Sequence, residues 1–121
     1  MVNEYYHRAW CSDSMMESEE PILFLSLENG SEHQEYISQE TLNKAVIGIQ
    51  GERIYDSLPC GNWIHSQYLT EDGMLISIGC HKQRNDFQFI QMVGYDIQKM
   101  INCARKMSLP VYALEGIVQE R

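Results

Sequence analysis

Phe87-Gln88-Phe89-Ile90-Gln91-Met92-Val93-Gly94-Tyr95-Asp96-Ile97-Gln98-Lys99-Met100-Ile101-Asn102-Cys103-Ala104-Arg105-Lys106-Met107 admits two readings, and the choice between them decides the fold. Ile90, Val93, Gly94, Ile97, Met100, Ile101, Ala104 and Met107 keep a 3.6-residue register, the mark of one amphipathic helix. Asn85, with Gln88 three residues later, adds a capping-box pattern at its start. The competing reading is a strand over 87–93 followed by a shorter helix capped by Asp96. Phe87 and Phe89 also alternate, and Gly94 weakens a helix interior by about 1 kcal/mol. A single register accounts for every large apolar residue from 87 to 107 except Phe89, Met92 and Tyr95, so the expectation is one helix near 86–107.

Upstream, residues 63–69 and 74–80 are strand-like and are joined by Thr70-Glu71-Asp72-Gly73, a hairpin signal. Its register is open. With a two-residue loop, Thr70 pairs with Gly73 and His65 shares a face with Cys80; with a three-residue loop and a left-handed Gly73, Thr70 pairs with Met74 and His65 turns away from Cys80. Met74, Ile76, Ile78 and Cys80 form one apolar face in either case. Further upstream, Leu42, Ala45, Val46 and Ile49 lie at i, i+3, i+4 and i+7 behind Ser38, a good N-cap, with Glu40 favourably placed at the helix dipole. That predicts a helix near 39–50.

Ile22-Leu23-Phe24-Leu25-Ser26-Leu27 is an apolar run of strand length after Pro21, closed by Asn29-Gly30, and 31–37 reads as a returning strand. Residues 2–11, with Tyr5, Tyr6 and Trp10, read as a short strand or an arm, and 12–20 as a loop. Downstream of Pro110, Val111-Tyr112-Ala113-Leu114 reads as a last strand, with 117–118 as its fading end. The expected architecture is α+β: a small mixed or antiparallel sheet (strands near 22–27, 63–69, 74–80 and 111–114) packed by two helices (near 39–50 and 86–107).

The chain has 121 residues, 44% of them hydrophobic and 21% charged, which fits a single domain over 1–121 with its own core. All of the net charge of −8 arises in residues 1–43, where nine acids face only Arg8, whereas 44–121 carries eight acids and eight bases. A pI near 4.8 disfavours nucleic acid and anionic membranes as partners. No run of 18 apolar residues occurs, and the opening Met-Val-Asn-Glu lacks the basic start and apolar stretch of a secretory signal, so the expected location is the cytoplasm. Cys11, Cys60, Cys80 and Cys103 are irregularly spaced and read as free thiols.

Chemistry-bearing clusters are few. Cys60, His65, Cys80 and His81 are the only grouping of metal-ligand or nucleophile types, but their spacing lacks the close pairs of a zinc site, and adjacent Cys80 and His81 point to opposite faces of a strand. No metal and no cofactor is therefore expected, and no catalytic residue is assigned. No phosphate-loop, dinucleotide, nucleophile-elbow or zinc-protease motif occurs. His81, Lys82 and Arg84, ahead of the long helix, are a candidate anion or ligand site. Phe89, Met92 and Tyr95, outside the main helical stripe, are a candidate homodimer interface unless the N-terminal arm covers them.

The leading functional expectation is a non-enzymatic binding or inhibitory protein whose acidic segment engages a basic protein partner, with Glu17, Glu19, Glu20, Glu28, Glu32 and Glu35 as the contact residues. Toxin-immunity proteins and phage inhibitors of bacterial defence work by such charge complementarity, an analogy of charge and size only. The alternative is a small-ligand or nucleotide-sequestering protein, and the third reading is an enzyme or metal site using His65 and Cys80.

Overall fold

A computed structural model describes residues 20–27, 32–84 and 86–110 and shows six strands and two helices among them. In chain order they are β1 (Ile22–Leu27), β2 (Glu32–Tyr36), α1 (Gln39–Ile47), β3 (Glu52–Cys60), β4 (Trp63–Leu69), β5 (Leu75–His81), β6 (Phe89–Gly94) and α2 (Ile97–Lys106). The strands form one mixed sheet in the order β2-β1-β6-β5-β4-β3, in which β1 and β6 are parallel and every other pair is antiparallel. The α+β class is as expected. The sheet is larger than anticipated and the helical part smaller, and the expectations for 1–19, 28–31, Asn85 and 111–121 fall outside the described residues.

The stretch 87–107 is where the sequence reading fails: it is a strand and a shorter helix. β6 lies between β1 and β5 and is buried along its whole length, so Phe89, Gln91 and Val93 meet one layer while Ile90 and Met92 meet the other. A run that is apolar on both faces satisfies a helical period as readily as a strand period, which is why periodicity alone misled. The break comes at Asp96, whose carboxylate accepts from the backbone N–H groups of Gln98 (2.9 Å) and Lys99 (3.4 Å) and caps α2.

Other local signals read correctly. Ser38 caps α1 by accepting from Thr41 N–H at 3.1 Å, although the helix stops at Gly48 rather than near residue 50. The 70–74 turn is the three-residue form: Thr70 N–H donates to Met74 O at 2.9 Å, Gly73 N–H donates to Thr70 O at 3.0 Å, and Gly73 has φ +82°. β3 was not anticipated. Its register shifts near Tyr55 and its Pro59 hide any alternation, and the residues from Glu52 to Asp56 are exposed at the outer edge of the sheet.

The main core fills one side of the sheet. Leu23, Leu25 and Leu27 of β1, Ile90 and Met92 of β6, and Ile76 and Ile78 of β5 pack against Leu42 and Ala45 of α1 and Met100, Ile101 and Ala104 of α2. A smaller cluster of Trp63, Leu75, Phe89 and Val93 lies on the other side, flanked by Ile22 and Phe24. Among the described residues no helix is long and apolar enough to cross a membrane.

Asp96 offers a direct test of the strand–helix division. Asp96→Ala is expected to destabilise the protein by about 1 kcal/mol in chemical denaturation, as loss of a helix N-cap does. Were 86–107 one helix, the same change at an interior position would stabilise by roughly 0.5 kcal/mol through helix propensity.

Candidate functional site

Buried polar residues interrupt three largely apolar strands: Ser26 in β1, Ser77 in β5 and Gln91 in β6. Cross-strand pairing aligns two of them with Gln67 of β4. Phe24 pairs with Gln91, Gln91 with Ser77, Ser77 with Gln67, and Gln67 with Tyr55, one continuous row across the face opposite the helices. With strands spaced about 4.8 Å apart, the span from Gln91 to Gln67 is roughly 10 Å.

Burial makes this row unusual. Gln67, Ser77 and Gln91 are 1%, 0% and 1% exposed. Gln91 Nε2 donates to Ser26 Oγ at 3.0 Å, but among the described residues Gln91 Oε1, Ser77 Oγ and Gln67 Oε1 are buried with no hydrogen-bond partner. Trp63 Nε1 on the same face is also unmatched. A buried polar group left without any partner costs about 1–3 kcal/mol.

The surroundings are largely aromatic and include buried His65 and His81. The Phe89 ring lies 5.7 Å from Trp63 and 6.5 Å, edge-on, from Phe24, while Trp63 meets His81 at 5.3 Å in a T-shaped contact. Phe89 reaches Trp63 by crossing β5 at Gly79, where a Cβ would collide with the ring. Val93 and Leu75 pair on the other side of the row. β1, β4, β5 and β6 contain no Asp, Glu, Lys or Arg.

Gln67, Ser77, Gln91 and Trp63 were not singled out in the sequence. Ser77 and Gln91 were visible as polar interruptions in largely apolar strands, and buried polar residues inform more than exposed apolar ones. What was lacking was the register that puts them side by side.

The other candidates are dispersed. His65 pairs with Gly79, which puts it on the face opposite Cys80, and among the described residues no group of His, Cys, Asp and Glu could hold a metal. The Cys60 side chain lies outside the described residues. Arg84 is held by Asp86, with Nε donating to Oδ1 at 3.1 Å and an η-nitrogen to Oδ2 at 2.8 Å, and its other η-nitrogen donates to Gln88 Oε1 at 3.0 Å. That fork locks the β5–β6 turn. His81 is buried and accepts from Gln83 N–H at Nδ1, 3.2 Å away, whereas Lys82 is exposed.

Phe89 and Met92 are buried on opposite faces of β6, and Tyr95, 75% exposed, stands apart beyond the strand. Of the acidic candidates, Glu17, Glu19 and Glu28 lie outside the described residues and Glu20 is exposed ahead of β1. Glu32 begins β2 opposite Ser26. Glu35, opposite Leu23, accepts from His33 Nε2 at 3.3 Å through Oε2.

A concavity of about 550 Å³ opens between Asn102, Cys103 and Lys106 of α2 and Thr70, Glu71 and Asp72 at the hairpin turn. Its charges are of mixed sign and it holds no buried unmatched polar atom. No protein-family model matches the chain, and no match was found to a curated protein or to a solved structure.

Cys80 and Cys103 are free thiols, and burial raises the pKa of both, with Asp86 adding to the effect at Cys80. A raised pKa leaves less thiolate at neutral pH, the opposite of an activated nucleophile. Alkylation of these two residues by iodoacetamide in the folded protein, resolved by mass spectrometry, is expected to be slower at pH 7.5 than that of free cysteine and to rise beyond pH 9. Faster labelling than free cysteine would contradict this.

Proposed function

We propose that the protein is a small binding protein, of the inhibitory type, that engages a basic protein surface through its acidic first third. The observation that carries this reading is where charge sits relative to the sheet. The four central strands carry no Asp, Glu, Lys or Arg, whereas Glu32 and the half-buried Glu35 lie on β2, an outer strand among those described, and Glu20 is exposed ahead of β1.

An outer strand also offers main-chain hydrogen-bonding groups to a partner, and exposed Tyr36 adds an amphipathic contact at its end. Acidic groups on such an edge attract a basic surface at long range, speed encounter and select among partners. Excess negative charge also imitates a phosphate backbone, so the partner class that fits is a basic protein whose own ligand is anionic. Long-range attraction of this kind is screened within about 8–10 Å at moderate salt, which makes salt a diagnostic variable.

The test is an affinity pull-down on the full chain at low and high salt, beside a variant with Glu17, Glu19, Glu20 and Glu32 changed to Lys. The native chain is expected to retain basic proteins at low salt, to release them at high salt, and to lose at least about tenfold in affinity on reversal, or 1.4 kcal/mol. Retention of the same proteins by the reversed variant would overturn the reading.

A further inference from the structure

Both described helices pack on one face of the sheet, yet the other face is buried as well. Its middle strands are covered from end to end: Trp63, Ser77 and Phe89 are 0% exposed, and Leu75 and Val93 at the far end 8% and 9%. The outer strands are open. On the same face Tyr55 of β3, opposite Gln67, is 41% exposed, and Tyr36 of β2, opposite Ile22, is 63% exposed. The covered footprint thus runs from β4 through β5 and β6 to β1, roughly 14 Å at about 4.8 Å per strand spacing. What lies on it belongs to this chain and comes from outside the described residues, which supply only the sheet, the two helices of the opposite face and their connections.

Residues 28–31 and 85 are too few to span such a footprint. Residues 111–121 leave from beside Leu109, which packs in the main core with the helices. Residues 1–19 instead lead into buried Pro21 and then Ile22, which packs against the cluster of Trp63 and Phe89 on the covered face. The sequence period selects the same segment. Val2, Tyr5, Tyr6, Ala9 and Trp10 recur at i, i+3, i+4, i+7 and i+8, one apolar side of a helical period, and Glu4, His7, Arg8 and Cys11 fall on the other. Val111-Tyr112-Ala113-Leu114, apolar in succession, collects on no single side of that period.

We propose that the chain's own residues 2–10 occupy the second face of the sheet, seated on it by the side that carries Val2, Tyr5, Tyr6, Ala9 and Trp10. The chemistry of the face selects this occupant. Strands β1, β4, β5 and β6 carry no Asp, Glu, Lys or Arg, so a charged group set against them is desolvated without a counter-charge, which keeps the acids of 13–20 off the face. Tyrosine and tryptophan join a large apolar body to a polar tip, the side-chain type suited to a floor where Trp63 and Phe89 alternate with Ser77 and Gln91. The width also fits, because a helix with its side chains is about 10–12 Å across. With 2–10 seated, the acidic stretch from Asp13 to Glu20 bridges two anchored points and is a closed loop rather than a tail. This holds whatever that stretch binds.

The experiment is hydroxyl-radical footprinting of the full chain, read by mass spectrometry, with Tyr36 and Tyr95 as exposed references and Met92 and Met100, both in the main core, as buried ones. In the unmodified protein Tyr5, Tyr6 and Trp10 are expected to be oxidised several-fold more slowly than the exposed references, after correction for intrinsic reactivity, and equally so at low and high protein concentration. In the double variant Tyr6→Glu with Trp10→Glu, Trp63 and Phe89 are expected to become several-fold more reactive while Met92 and Met100 stay protected. The proposal is overturned if Tyr5, Tyr6 and Trp10 of the unmodified protein react like Tyr36 and Tyr95, or if their protection is lost on dilution, which would make a second copy the cover. It is also overturned if Trp63 and Phe89 stay protected in the double variant, or if Tyr112→Glu with Leu114→Glu exposes them instead. Should the double variant expose Met92 and Met100 as well, it has unfolded, and the footprint of the unmodified protein decides alone.

Discussion

Two-sided burial of Phe89–Gly94 is the constraint on which the rest of the sheet depends. β6 is the strand through which the β2–β1 hairpin joins the β5–β4–β3 meander, parallel to one and antiparallel to the other. Its helix-facing residues, Ile90 and Met92, enter the main core with α1 and α2, while Phe89 and Val93 build the smaller cluster behind the sheet. A polar or small residue at any of the four opens a cavity in one layer or the other, and large-to-small changes in such positions cost about 2–5 kcal/mol. The candidate site follows from the same strand: Gln91 stands between Phe24 and Ser77 because β6 stands between β1 and β5.

Legibility in the sequence followed how local each determinant is. Ser38 and Gly73 act on backbone groups within four residues, so this cap and turn could be read locally; Asp96 entered as a cap only in the alternative set aside for 87–107, and the three-residue hairpin was one of two explicit alternatives. Ile22–Leu27 and Trp63–Leu69 were also recognisable, since their burial is continuous or alternates cleanly. The 87–107 stretch was misread because a central strand buried on both faces carries no alternation to set against a helical period. β3 went unseen for the opposite reason: exposed at the sheet edge and shifted in register, it has no apolar stripe. The polar row depends on pairing between residues as far apart as 26 and 91, which no local pattern encodes.

Charge and polarity are partitioned across the molecule. Charged groups are kept off the four inner strands and placed on the outer strands, on the helices and in the turns, where Arg84 with Asp86 and Lys44 with Glu40 form ion pairs. Uncharged polar groups are instead drawn into the sheet interior at Ser26, Gln67, Ser77 and Gln91. The first arrangement is the one on which the proposed attraction to a basic surface rests; the second gives the sheet interior a buried polar row.

Residue-resolved amide hydrogen exchange across Phe89–Gly94, Ile22–Leu27 and Leu75–His81 tests the central role of β6 most directly. The hydrogen-bonded amides of all three strands are expected to exchange together, at the free energy of global unfolding, since loss of β6 separates the two halves of the sheet. Exchange of β1 at markedly lower free energy than β5, with β6 following β5 alone, would contradict it.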